Sequence, residues 1–178
     1  MARNLRVEFP GAIYHVTARM IGDWQADRSR LFRDDTDRQR FLERMAEPTQ
    51  LYISLVAPDP ETYGAVCRPA SKDGWERLGR SLEMMSSFSC RKVIRLTLVK
   101  GLNFKDPEGY AKIIEKTGAD FVEAKAYMCV GFSRNRLSLD NMPLHSEIMG
   151  FARDVARETG YGITDESETS RVVLLSKK

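Results

Sequence analysis

From Gln50 onward the chain switches repeatedly between two hydrophobic rhythms, and the switching predicts the fold. Gln50-Leu51-Tyr52-Ile53-Ser54-Leu55-Val56-Ala57 is a β-prone run ended by Pro58 and reads as a strand. Asp73 can cap a helix whose apolar positions Trp75, Leu78, Leu82 and Met85 recur at spacings of 3, 4 and 3, one face of a helix. Met84, Met85 and Trp75 are expected in the core. Val93 to Val99 is a second strand, and Gly101 opens its exit loop. Asp106-Pro107 supplies a cap and a first-turn proline for a helix through Tyr110, Ile113 and Ile114 that stops at Gly118. Phe121 to Tyr127 is a third strand. Pro143 is read in the first turn of a helix buried through Ile148, Phe151, Ala152 and Val155, with Gly160 just after it. Arg171 to Leu175 is a last short strand.

Strand–helix alternation with apolar strands argues for parallel strands joined by right-handed crossovers. The fold class is therefore α/β, a partial parallel β/α barrel. Ligands of such folds bind where the C-terminal ends of the strands emerge. Ser54, Arg95, Lys100 and the stretch from Lys125 to Arg136 fall there.

The first 47 residues follow another pattern. Leu5 to Arg19 reads as an arm, a Pro10-Gly11 turn and a strand; Asp34 or Asp35 can cap a helix with Phe41, Leu42 and Met45 on its apolar face. Nine Arg and no Lys lie in this segment, against ten Arg and nine Lys in the remaining 131 residues. Two parts are expected, 1–47 and 48–178, joined near Glu47-Pro48.

Composition excludes little. The chain of 178 residues is 42% hydrophobic and 30% charged, as in ordinary globular proteins. No apolar run approaches the roughly 20 residues of a membrane span, and the N-terminus lacks a secretory h-region. A net charge of +3 means that nucleic-acid binding would need a local patch. Cys67, Cys90 and Cys129, at spacings of 23 and 39, form neither a disulfide framework nor a CxxC site, which suits a reducing cytoplasm.

Individual residues each carry a plain reading beside a functional one. Ser54 is polar in an apolar strand. It either bonds backbone or faces a ligand. Arg95, between Ile94 and Leu96, needs a partner if buried: a ligand carboxylate or phosphate, or an internal acid. Lys125 alternates with Glu123, so an ion pair between them at the barrel mouth is the plain option. Gly131-Phe132-Ser133-Arg134-Asn135-Arg136 joins two guanidiniums to an aromatic ring and a glycine, suited to phosphates, base stacking and close backbone approach; the plain reading is a solvated basic loop.

Two stretches carry family resemblances. Leu5 to Arg19, Leu31-Phe32-Arg33-Asp34-Asp35 and Phe41-Leu42 resemble the opening of the transposases associated with repetitive extragenic palindromes. That family's chemistry needs a His-x-His metal site and a tyrosine nucleophile. The chain's two histidines, His15 and His145, are 130 residues apart, so DNA cleavage is not expected. His15 reads as a strand histidine.

The larger resemblance runs from Thr49 to Lys178. Gln50 to Leu55, Arg68-Pro69, Trp75-Glu76-Arg77, Arg95 to Gly101, Lys125 to Met128, Val130 to Leu137, Asn141-Met142-Pro143 and Ser170 to Leu175 are similar, in order, to the radical S-adenosylmethionine (SAM) synthases of the tRNA base wyosine. The resemblance implies the last half of a six-stranded partial barrel. It implies a reaction of 1-methylguanosine in tRNA with pyruvate to give 4-demethylwyosine, with SAM and a [4Fe–4S] cluster as cofactors. It implies that the strand end at Ser54 lies against SAM, and Ser54, Arg95 and Lys125 are taken as the cofactor-binding candidates; the chemistry of the loop makes Phe132, Ser133, Arg134, Asn135 and Arg136 the RNA-binding candidates. The CxxxCxxC loop that binds such a cluster is not in the sequence. The chain is therefore expected to be inactive alone and to hold neither cofactor stably, acting with a complementing half. The other readings are a tRNA- or RNA-binding module without chemistry and a gene-fusion remnant with no selected function. An open barrel edge at Gln50–Ala57 and an apolar inner face lead to an expectation of homo-oligomers.

Overall fold

Residues 50–177, those described in a computed structural model, fold around a five-stranded sheet with the order β1-β2-β3-β5-β4. The arm, strand and helix expected over 1–47, with His15, lie outside the described residues. The elements are β1 (Gln50–Ser54), α1 (Pro60–Cys67), α2 (Gly74–Met84), β2 (Arg91–Leu98), α3 (Pro107–Thr117), β3 (Phe121–Ala126), α4 (His145–Thr159), β4 (Gly162–Ser167) and β5 (Val172–Ser176). The first three strands are parallel neighbours in chain order, as the alternation predicts. β5 instead lies antiparallel to β3, and β4 antiparallel to β5.

The reversal has a local cause. Gly160 (φ 73°) ends α4 in the left-handed conformation that glycine adopts without a Cβ penalty. Tyr161 then anchors the turn, its hydroxyl donating to the Ala119 carbonyl at 2.5 Å. A short hairpin through Glu168–Arg171 follows, too short for the helical crossover that a parallel return requires. β4 (GITDES) is mostly exposed and has no apolar alternation, so only its pairing defines it. Its acidic residues suit an edge strand, where charge opposes pairing with another chain.

One face of the sheet is the core. Ile94, Leu96, Leu98, Val122, Ala124, Val173 and Leu175 point to it and are almost completely buried beneath Leu82, Tyr110, Ile114, Ile148, Phe151 and Val155 of the helices. Each large apolar side chain buried in this way contributes about 1.5–3 kcal/mol of transfer free energy. Met85 is buried as expected, but Met84 is 53% exposed because it lies one position round the helix from the apolar stripe. Trp75 is half-buried and packs on Tyr63.

Two helices begin at the same Asp-Pro signal. Asp59 accepts from the Thr62 N–H (2.7 Å) and hydroxyl (2.6 Å), and Asp106 accepts from the Gly109 N–H at 3.0 Å. A Cβ at Gly109 would lie 2.9 Å from that of Pro58, so only glycine lets α3 start against the loop after β1. Pro143 does not fall within α4 but two residues before it; Leu144 is the cap, and the Glu147 carboxylate accepts from its N–H at 2.7 Å.

Candidate functional site at the strand ends

The inner face of the sheet, opposite the helices, is polar over its upper part. Register partners in adjacent strands share a face. Ser54, Arg95, Glu123, Leu174 and Asp165 form one row, and Thr97, Lys125, Val172 and Ser167 the next. The apolar inner face expected from the sequence is found in the lower rows, around Val93 and Phe121, while in the upper rows β5 alone contributes apolar side chains, Leu174 and Val172. Tyr52, Glu123, Asp165, Ser167 and Leu174 help to line an open groove of about 240 Å³ on this face.

Arg95 has taken the internal acid. Its Nε and Nη2 donate to the Glu123 carboxylate at 3.1 and 2.9 Å, and its guanidinium lies 4.9 Å from the centre of the Tyr52 ring. Lys125 therefore does not form the expected pair with Glu123, which is a register partner of Arg95; Lys125 has no ion pair among the described residues. Ser54 is exposed at the end of β1 and makes no hydrogen bond through its hydroxyl among the described residues.

Two asparagines hold the strand ends in place. Asn103 is fully buried; its amide donates to the carbonyls of Val56 (2.7 Å) and Thr97 (2.8 Å), and its Oδ1 accepts from the Val99 N–H at 2.6 Å. Asn141 donates to the Lys100 carbonyl at 2.9 Å, and its own carbonyl accepts from the Lys100 N–H at 3.0 Å. Lys100 in turn pairs with Glu147 of α4 at 2.6 Å. Bonds from Lys100 and from the Leu144 N–H hold the Glu147 carboxyl below the usual glutamate value. These anchors escape sequence reading because Asn103 spans 47 residues to reach Val56. Their one visible trace is Asn103, an asparagine just beyond the predicted end of the second strand.

The loop after β3 forms a 3₁₀ turn over Gly131–Asn135. Phe132 at its crest is 91% exposed, and Met128, Val130 and Leu139 are exposed nearby in the chain. The Ser133 hydroxyl donates to the Val130 carbonyl at 2.6 Å and accepts from Tyr127 at 2.8 Å, so it braces the turn. Arg134 Nε donates to the Cys129 carbonyl at 3.1 Å. Arg136 reaches the Ala65 and Val66 carbonyls in the last turn of α1 at 3.3 and 3.4 Å, where a cation is favoured by the helix dipole. Asn135 is exposed. Both guanidiniums expected to grip phosphate thus bond backbone carbonyls, Arg134 within its own loop and Arg136 across to α1.

The three cysteines do not converge. Cys67 ends α1, Cys90 precedes β2 at the lower end of the sheet, and Cys129 follows β3 at the upper end. They do not fit an iron–sulfur cluster, and burial raises the Cys67 thiol above its ordinary value, opposite to what a ligand thiolate needs. Among the described residues no three His, Cys, Asp or Glu side chains are grouped to hold a metal ion, and no helix is long and apolar enough to cross a membrane.

This unit is a partial α/β barrel of the radical SAM type. It resembles a solved structure of TYW1 with a lysine–pyruvate adduct bound (TM-score 0.67, 36% identity, 77% of this chain and 43% of that one) and a crystal structure of archaeal TYW1 (TM-score 0.59, 34% identity, 73% and 40%). Residues 116–177 match the protein-family model described as wyosine base formation. The chain is 56% identical over 131 residues to the S-adenosyl-L-methionine-dependent tRNA 4-demethylwyosine synthase of Pyrococcus abyssi, covering 73% of this chain and 38% of that protein. It is 38% identical over 132 residues to the synthase of Methanocaldococcus jannaschii, covering 74% and 42%. The chain is therefore a relative of the C-terminal half of these synthases, and it spans about two fifths of their length.

Proposed function

We propose that this chain supplies the tRNA-facing rim and part of the SAM-facing wall of a site that makes 4-demethylwyosine from 1-methylguanosine in tRNA. The observation that carries the reading is the polar inner face, whose Arg95–Glu123 row leads up to a rim with Phe132 exposed at its crest. Ser54, Arg95 and Lys125 are proposed on the SAM side, with Phe132, Ser133, Arg134, Asn135 and Arg136 on the RNA side. In the complete site SAM and its cluster supply the radical. The residues of this chain bind, orient and enclose. The cysteines described above fit no cluster, so turnover calls for a cluster-bearing half from elsewhere.

The chain is read as two parts, 1–47 and 48–178. The first is a transposase-like appendage without DNA-cleaving chemistry, since His15 and His145 form no His-x-His site. Three cysteines at scattered spacings suit a reducing cytoplasm. Among the described residues β1 pairs only with β2, and this edge is proposed as the seam for the complementing half. When that half is absent, the same edge supports homo-oligomers. Sedimentation with and without a cluster-bearing half tests this: a one-to-one complex that replaces self-association is expected, and a monomer indifferent to that half contradicts the reading.

A further inference from the structure

Beside the rim, between the first turns of α4 and the turn joining β4 to β5, lies an open cleft of about 690 Å³, within the usual range for ligand sites. It belongs to the strand-end side, because the Arg171 carbonyl accepts from the N–H of Ala126, the last residue of β3, at 2.9 Å. Two contacts fix its walls. His145 Nε2 lies 2.7 Å from Glu166 Oε2, and Arg171 Nη1 donates to the Pro143 carbonyl at 3.0 Å. Arg171 itself has φ 49°, held in the turn by its N–H bond to the Glu168 carbonyl at 3.0 Å.

The groups left over have a definite chemistry. Arg153 is exposed and has no ion pair among the described residues, and Arg171 uses one of its nitrogens only. Glu168 is exposed and has no side-chain hydrogen bond among the described residues. Leu144, 55% exposed, and Met149 add an apolar strip. Two guanidiniums suit a phosphate, a free carboxylate accepts from a hydroxyl, and the apolar strip suits the face of a sugar or base. A simple anion would gain nothing from Glu168 and would be repelled by it. A ribonucleotide uses all three.

We propose that this cleft seats one nucleotide of an RNA strand, its phosphate on Arg153 and Arg171 and its ribose 2′-hydroxyl on Glu168. The proposal rests on the tRNA reading above and adds a second contact to the Phe132 crest. The test is fluorescence anisotropy of the full chain with tRNA, with a single-stranded RNA and with DNA of the same sequence, over a salt series. Arg153→Ala is expected to weaken tRNA binding about 5–10-fold and to lower the salt slope by about one phosphate. Glu168→Ala is expected to narrow the preference for RNA over DNA, and Lys112→Ala on exposed α3 to change neither. If the parent binds tRNA and Arg153→Ala binds with the same affinity and slope, the cleft proposal is overturned while the tRNA reading stands. If the parent binds no RNA, the tRNA reading falls and the cleft proposal with it.

Discussion

Arg95 of β2 and Glu123 of β3 are register partners, and two guanidinium nitrogens of Arg95 converge on the single oxygen Oε2 of Glu123. The Glu123 side chain is 12% exposed and that of Arg95 is 40% exposed. Losing Arg95 therefore strands a desolvated carboxylate, whereas losing Glu123 leaves a guanidinium that water can still reach. Arg95→Ala should cost roughly 1–3 kcal/mol of stability, more than Glu123→Ala. Denaturant melts of both variants and of the double variant check this, and equal single costs with additive effects would refute the coupling.

Asn103 joins the ends of β1 and β2 through three hydrogen bonds from a fully buried amide. Asn103→Ala leaves the Val99 N–H and two carbonyls unsatisfied, a loss of about 2–4 kcal/mol. Asn103→Asp should be comparably harmful, because an acceptor would then face the two carbonyls. Thermal melts would show whether either variant retains parental stability.

Much of the fold was legible because α3 and α4 carry an apolar stripe with a glycine stop, and β2 and β3 are β-prone stretches of strand length whose core-facing positions are apolar. α1 was not legible although Asp59-Pro60 repeats the Asp106-Pro107 signal, because Thr62 is its only buried residue and no stripe follows the cap. β4 was hidden by its polar sequence, and with it the antiparallel return of β5. At the site, the identity of Arg95 and Lys125 was readable but their partners were not. Glu123 lies two residues from Lys125 in sequence, yet strand register gives it to Arg95.

Glu147 links pH to the attachment of α4. Its carboxyl is held below the ordinary glutamate value of 4.5 by Lys100 first and the Leu144 N–H second. A folded-state value below the unfolded one means that its stabilisation is complete above 4.5 and is lost as pH falls through the depressed value. Glu147→Gln should therefore flatten the acid limb of the stability profile below pH 4.5 and leave its shape near neutrality unchanged. An acid limb identical to the parent's would show that this carboxylate does not contribute to it.

Phe132, 91% exposed, separates binding from structure better than Arg136 does. Phe132→Ala should weaken tRNA binding by about 1–3 kcal/mol, the scale of one stacked base, without lowering the melting temperature. Arg136→Ala should lower that temperature, because it removes the cation from the end of α1. A Phe132→Ala variant that binds tRNA like the parent would move the contact away from this crest.

The most direct test of the proposed function is nucleoside mass spectrometry of tRNA bearing 1-methylguanosine, incubated with SAM, pyruvate and a reductant under anaerobic conditions. The account predicts no 4-demethylwyosine with this chain alone or with a reconstituted cluster-bearing half alone, and product when the two are combined. Arg95→Ala in this chain should reduce that product. Product from this chain alone would contradict the account, as would none from the combination when the intact Pyrococcus abyssi synthase is active in the same reaction.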